Sequence, residues 1–423
     1  MMPTRVHSML RLGLAATVAT FSLSACGGKE TAPTAVTVPP RTDTAVTVPV
    51  PVPVLPRVLT HIGQGVVPER YSAEVWVRGT TAYTTTWGTR AGARGNAVKI
   101  WDVSANQPQL VDSVIVASAT TTGDVQVSDD GSLMVVAIES NPNGGVAIYS
   151  MANPRAPQLL VRTTGGELRN GVHTAEVARV NGVLYAFCAV NQANGVPSRL
   201  VVLDLSTPSA PLTVWSQAMG APFVHDVSVR DGLLFTAEWN DGVGIWDIGA
   251  QSGSVAAPKL LGRARTVGGQ AHNAWWLHDP VTQSKKYLLV GQEGPGTIGS
   301  SSAGDVHVVD ISNLAAPVEV AVYSVTGAGT HNFSVDEAQG FAYAAYYNGG
   351  VRVLDVRGDL ASCTDVQKTT DGRCDLAKMS RERATYAGAG GVPVYVWGVH
   401  WSASGLFASD MLNGLWRAAP ATR

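Results

Sequence analysis

Five of the nine histidines stand in one recurring phrase: a His, a small polar or acidic residue, then alternating apolar positions. The copies are His173-Thr174-Ala175, His225-Asp226-Val227, His272-Asn273-Ala274, His331-Asn332-Phe333 and His400-Trp401-Ser402. Two degenerate copies precede them, Ala73-Glu74-Val75 and Gly123-Asp124-Val125. Imidazole is a strong ligand for copper, zinc, iron or nickel, and a carboxylate such as Glu74, Asp124 or Asp226 can orient it. Three or four imidazoles suffice for a metal, so the two missing positions do not exclude one. Alternation sends neighbours along a strand to opposite faces, so the His and carboxylate sets need not share a surface. The competing reading is architectural. Duplication copies a residue whether or not it has a site, and a His within a strand is often a satisfied interior polar group. The architectural reading is preferred.

A second set lies where the second strand of each repeat should end: Trp87, Glu139, Glu238, Trp239, Gln292, Tyr346, Tyr347 and Asp410. Aromatics and carboxylates at loop tips suit a binding rim for sugars, peptides or cations; packing between repeats would use the same residues. Asp129-Asp130-Gly131 reads as a turn, because the remaining spacing of a calcium loop is absent. There is no G-x-S-x-G, P-loop, H-E-x-x-H or C-x-x-C.

The elements that must position these residues follow from period and composition. The phase positions 73, 123, 173, 225, 272, 331 and 400 differ by 50, 50, 52, 47, 59 and 69. A step near 50 is a propeller-blade period. Each unit offers a strand after the phrase (HDVSVRDG), a second before a turn (LLFTAEWNDG, FAYAAYYNGG) and a third running into Asp (VKIWDV, LVVLDL, VGIWDI). A fourth is introduced by Pro (APQLLVRTT, APKLLGRAR). Asp-Gly and Asn-Gly between alternating runs are hairpin signals. The chain is therefore read as all-β, a seven-bladed β-propeller over residues 57–423. Only 23 residues follow His400, enough for three strands. Residues 57–64 are expected to supply the missing fourth, so that the last blade is closed by an N-terminal strand. Charged residues are 15% of the chain, hydrophobics 45%, and the net charge is −2. That balance fills a core and excludes the basic face of a nucleic-acid binder.

The start of the chain reads as an address. Arg5 and Arg11 precede an apolar run from Leu12 to Leu23, too short for the ~20 residues of a membrane span and the size of a signal-peptide core. Leu23-Ser24-Ala25-Cys26-Gly27 resembles a bacterial lipobox. The resemblance implies that residues 1–25 are a signal peptide and that Cys26 is lipidated. Gly rather than Asp at position 27 favours the outer membrane. Residues 26–56 form a Pro-rich linker with TAVTVP twice, a stiff spacer of ~3.1 Å per residue where extended.

Two long steps mark insertions, one within 278–304 and one at about 358–395. The second holds Cys363 and Cys374, expected to form a disulfide outside the cytoplasm; metal binding is the alternative, although two Cys without a nearby His make a poor zinc site. Cys188 reads as a buried thiol.

The phrases Leu200-Val201-Val202-Leu203-Asp204, Val306-His307-Val308-Val309-Asp310 and Val351-Arg352-Val353-Leu354-Asp355 resemble the LVIVD repeat family. That resemblance implies a secreted or surface bacterial propeller, often a lipoprotein, of unestablished molecular role. Trp101-Asp102 and Trp246-Asp247 are similar to WD repeats. Ser150 and Arg417 stand where other units have the Asp and are expected to lack its hydrogen bond. The leading functional reading is a cell-envelope binding or scaffold module for a protein or glycan, held to the membrane by its lipid, with no cofactor and no nucleic acid. The alternative is a metal-dependent enzyme using the His ring with copper, zinc or iron. It would be a Lewis-acid hydrolase or a copper oxidase distantly similar to selenium-binding-protein-type thiol oxidases.

Overall fold

A computed structural model describes residues 56–117, 119–140 and 142–423. The expectations for residues 1–55, including Cys26, lie outside the described residues. The described part forms seven antiparallel sheets in succession, each built around four strands. Blade 4 shows the pattern: Asp226–Arg230 innermost, then Leu233–Ala237, Val243–Asp247 and Lys259–Ala264 outermost. The middle strands are buried on both faces and therefore read as continuous apolar runs, LMVVAI over Leu133–Ile138 being fully buried. Outermost strands such as Gln158–Thr164 carry mainly exposed positions.

The core is a set of wedges between neighbouring blades. Tyr83 and Ile100 of blade 1 pack on Met134 and Val136 of blade 2. Phe187 and Val202 of blade 3 pack on Leu234 and Trp246 of blade 4. Blade 7 meets blade 1 through Phe407, Leu415, Val75 and Trp101, which closes the ring. Each buried Val, Leu or Phe contributes roughly 1.5–3 kcal/mol, so a blade is held by its neighbours more than by itself.

Closure uses the N-terminal side as expected, with one correction. His61–Gly65 pairs antiparallel with Gly414–Ala418 and completes blade 7. Arg57–Val58 does not join it. These residues pair in parallel with Ala384 and Thr385 on the outer strand of blade 6, Glu382–Tyr386, whose edge is otherwise unpaired. The insertion before that strand holds the expected disulfide, Cys363–Cys374, with Cα atoms 5.8 Å apart. It returns Cys374–Asp375 as a parallel addition to the edge of blade 5. Cys188 is buried, and burial pushes its thiol up to about 12.

The repeated Asp stabilises the turn that follows it. Asp102, Asp204 and Asp310 each accept the N–H two residues on, at 2.9, 2.7 and 2.9 Å. Strand register puts Ala418, not Arg417, at the equivalent place in blade 7, because Leu406 pairs with Ala418 as Leu233 pairs with Asp247. Asp129-Asp130-Gly131 is a turn, with Ser132 and Arg179 bound to its carboxylates.

Candidate functional site

The innermost strands border a central channel, and bulges decide which side chains enter it. In blades 3, 5 and 7 the register skips one residue, between Val172 and Thr174, Ala271 and Asn273, and Val396 and Gly398. A bulged residue is turned out of the ladder and re-aimed. The skipped residues are His173, His272 and Trp397. Blades 4 and 6 place His225 and His331 at the matching position, each donating its N–H to the carbonyl of the second strand's last residue, Ala237 or Ala345. The tier is thus four histidines and one tryptophan. Its centroids are 4.2 Å apart for His173–His225, 4.0 Å for His225–His272, 4.1 Å for His272–His331 and 4.3 Å for His331–Trp397.

His400 is the correction. It lies three residues beyond Trp397, on a strand paired in register with Phe407, and lines the channel beside Trp76 at 4.9 Å. Burial lowers its pKa to about 4.

The residue after each phase position forms a second layer: Glu74 and Asp124 follow Ala73 and Gly123, and Thr174, Asp226, Asn273 and Asn332 follow the four histidines. It stitches neighbouring blades. Asp124 accepts from Ala175 N at 2.8 Å, Thr174 donates to His225 O at 2.7 Å, and Asn273 donates to His331 O at 2.8 Å. Asn332 of blade 6 donates to Glu74 of blade 1, past blade 7. Blade 7 has Gly398 here because a Cβ would collide with the Glu74 carboxylate. Glu176, two residues past Thr174, adds a fourth carboxylate. The channel volume is about 280 Å³. Burial, reinforced by neighbouring carboxylates, pushes Glu74 and Glu176 to about 8 and Asp226 to about 7; burial pushes Asp124 to about 6. The carboxylates expected to orient imidazoles serve instead to join blades, Asp124 through Ala175 N and Glu74 through Asn332, and the carboxylates beside the imidazoles are Glu139 and Glu293.

The far end of the channel is spanned by Arg230 of blade 4 and Glu337 of blade 6, bonded at 2.5 and 2.8 Å, with Arg230 also donating to Trp276 O at 3.1 Å. Glu337 also accepts from His278 N at 2.9 Å. Glu337→Ala should cost about 1–2 kcal/mol, since the pair is only partly buried. A double-mutant cycle with Arg230→Ala, followed by urea unfolding, checks the coupling; purely additive losses would remove the pair's role.

Above the His tier lies a mouth pocket of about 490 Å³. Its wall includes residues at the ends of the second strands of blades 1, 4, 5, 6 and 7: Trp87, Trp239, Glu293, Tyr347 and Met411. Trp239 and Tyr347 occupy left-handed backbone at φ 53° and 42°, uncommon for bulky residues and a cost accepted where position matters. Five residues expected on this rim lie elsewhere: Glu139 turns to His173, Gln292 accepts from Asp305 N at 3.3 Å, and three more are buried. Glu238 is buried against Arg263 Nη1 at 2.9 Å. Tyr346 sits between blades, donating to Tyr323 O at 3.3 Å. Asp410 is buried and accepts from Leu412 N at 2.7 Å. Glu238, Gln292, Tyr346 and Asp410 each sit one residue before a wall position, Trp239, Glu293, Tyr347 and Met411, so the pleat turns them away.

Glu139 and Glu293 stand against the tier. His173 Nδ1 donates to Glu139 Oε2 at 2.9 Å, and Asn191 donates to the same oxygen at 3.1 Å. Burial works against charge on His173, but Glu139 prevails and raises it to about 9. His173 Nε2 lies 2.8 Å from His225 Nε2. Glu293 Oε2 stands 3.8 Å from His225 Nε2 and 3.7 Å from His272 Nε2, and Tyr347 donates to its other oxygen. Burial, with neighbouring imidazoles, holds His225 and His272 well below the usual His value. His331 Nδ1 donates to Trp397 O at 2.8 Å, which leaves Nε2 with its lone pair. Glu293 and Glu176 were not singled out in the sequence. The steps of 54 from Trp239 to Glu293 and from Glu293 to Tyr347 carry the signal for the first; alternation from Thr174 carries it for the second.

The architecture is that of a seven-bladed β-propeller. It is similar to the C-terminal WD40 domain of Sif2, with 13% identity, a TM-score of 0.52, and coverage of 87% of this chain and 100% of that one. That likeness concerns the fold alone. Residues 301–325 match the LVIVD repeat, and they hold the third and fourth strands of blade 5, Val306–Asp310 and Val318–Tyr323, with only the second strand, Ser301–Ala303, of the insertion hairpin before them. No curated protein matches the chain. A propeller with an LVIVD repeat points to a binding or scaffold module.

Proposed function

We propose a cell-envelope lipoprotein, anchored through Cys26 at the outer membrane and carried on the linker 26–56, whose propeller binds a partner at the channel mouth. The observation that carries the binding site is the mouth pocket itself: about 490 Å³, walled by Trp87, Trp239, Tyr347, Tyr395 and Trp397, over a floor of imidazoles. Flat aromatic faces with a few polar groups beneath suit a sugar ring or the tip of a glycan chain better than a broad protein surface. Trp239→Ala is expected to weaken binding of soluble oligosaccharides by about 10-fold, the loss of one stacking face. Calorimetry against an oligosaccharide panel checks this. Capture of a glycan by Trp239→Ala as tight as by the unaltered protein would sink the mouth as the site. For the anchor, Cys26→Ser should move the protein from the membrane to the soluble fraction, since two acyl chains are what hold it; retention at the membrane would refute lipidation at Cys26.

A second reading is supported by a different observation. His225, His272 and Glu293 offer ligand atoms within 4.8 Å of one another. On that reading a metal makes the mouth a Lewis-acid or oxidase site.

A further inference from the structure

We propose that His225 Nε2, His272 Nε2 and Glu293 Oε2 hold one divalent late transition-metal ion, with its remaining position open to the mouth pocket. The inference deepens the second reading above and fails separately from it: a bound metal without turnover removes the enzyme and leaves the site.

The geometry is the first support. Ligand bonds of about 2.0–2.1 Å in a tetrahedron put neighbouring donor atoms roughly 3.3 Å apart. Glu293 Oε2 is already 3.8 and 3.7 Å from the two Nε2 atoms, and the imidazole centroids are 4.0 Å apart. All three ligand atoms lie within 4.8 Å of one another, so side-chain adjustment brings the set to bonding distance. The second support is unmet hydrogen bonding. His272 is 1% exposed, yet neither of its ring nitrogens has a hydrogen-bond partner, and His225 Nδ1 has none. Buried polar atoms are nearly always paired, and an orphan costs about 1–3 kcal/mol. His272 Nε2, 3.7 Å from Glu293 Oε2, is the orphan that a metal would satisfy, and His225 faces the same carboxylate through Nε2.

The surroundings set the chemistry. Two imidazoles and one carboxylate select zinc, copper or nickel over magnesium and calcium, which prefer an all-oxygen shell. Tyr347 donates to Glu293 Oε1 and so directs Oε2 at the histidines. Metal at His225 Nε2 replaces the hydrogen bond from His173, whose ring stays fixed by Glu139 beside the open position. Three protein ligands and one open position make a site that takes a water or a substrate oxygen, whereas a closed structural site uses four. Among the described residues this is the sole cluster of three such side chains close enough to share an ion.

The test uses the full chain, purified without a polyhistidine tag, stripped with chelator and titrated with Zn²⁺ by calorimetry. A parallel titration with Co²⁺ reads the geometry from its visible absorption. One Zn²⁺ per chain is expected, weakened about 100-fold or more by His272→Ala and by Glu293→Gln and unchanged in His400→Asn. Co²⁺ should show the intense bands of four- or five-fold coordination. If His272→Ala fails to fold, Glu293→Gln decides, since that carboxylate is partly exposed and leaves no core cavity. No stoichiometric Zn²⁺, or uptake unaltered by Glu293→Gln, overturns the site.

Discussion

Deleting residues 57–65 is expected to abolish cooperative unfolding of the propeller. The segment supplies the fourth strand of blade 7 through His61–Gly65 and the parallel pair on blade 6. Further backbone bonds join Leu59 N to Thr385 O and Ala419 N to Thr60 O, both at 2.9 Å. Each such bond is worth about 1 kcal/mol net. Removal also uncovers Trp101, against whose ring Gly65 lies so closely that any Cβ there would collide with it. The total approaches the ~5–15 kcal/mol by which a domain is stable at all. The ring is only as stable as its seam, because every blade leans on two neighbours. Differential scanning calorimetry of the deleted chain decides: a sharp transition at the original temperature would show that the strand is dispensable. Gly65→Val tests the same seam with one residue and should lower the melting temperature by several degrees.

The second large effect is in pH dependence. Glu74 and Glu176 are raised to about 8, Asp226 to about 7 and Asp124 to about 6, mainly by burial in the channel. A carboxylate whose folded pKa exceeds its unfolded value binds more proton in the native state, so stability falls as pH rises between the two values. The array therefore favours folding at pH 4–5 and loses that advantage progressively up to about pH 8. His173, raised to about 9, acts in the same direction, with its contribution complete below about 6.5 and lost as pH passes 9. On the acid side Asp247 opposes them. Burial would raise it, but five backbone N–H groups of residues 249–253 hold it at about 2, so its contribution disappears as pH falls from about 4 towards 2. Thermal stability should peak between about pH 4 and 6. Glu176→Gln should raise the melting temperature by several degrees at pH 8.5 and change little at pH 4.5. A variant with equal effects at both values would mean that Glu176 is charged throughout.

The blades were legible because strand patterning and the Asp-terminated third strand repeat at a step that side-chain types alone reveal. Four of five histidines fell where expected for the same reason. His400 failed because its phase was taken from the letter His, whereas the tier position is fixed by the end of the second strand, and in blade 7 the residue bulged out there is Trp397. A bulge adds one residue without changing composition, so nothing in the sequence marks it. The rim suffered the same slip: Trp87, Trp239 and Tyr347 are on the wall, while Glu238, Tyr346 and Asp410, adjacent in sequence to wall residues, face other directions, and Glu139 turns to His173. Glu293 was passed over for Gln292, one residue away. The fate of Arg57–Val58 depended on an unpaired edge created by an insertion more than 300 residues later, which no local pattern carries.

The order in which the first described residues join the ring bears on mechanics. A pull delivered through the segment before residue 56, as a membrane tether would deliver it, reaches the two-residue pairing on blade 6 before it reaches the closing strand of blade 7. The short pairing yields first and lengthens the chain by a few residues. The seam then feels the load only after that slack is spent. Blade 6 thus acts as a strain relief for blade 7, much as a cable is clamped to its housing ahead of the soldered joint.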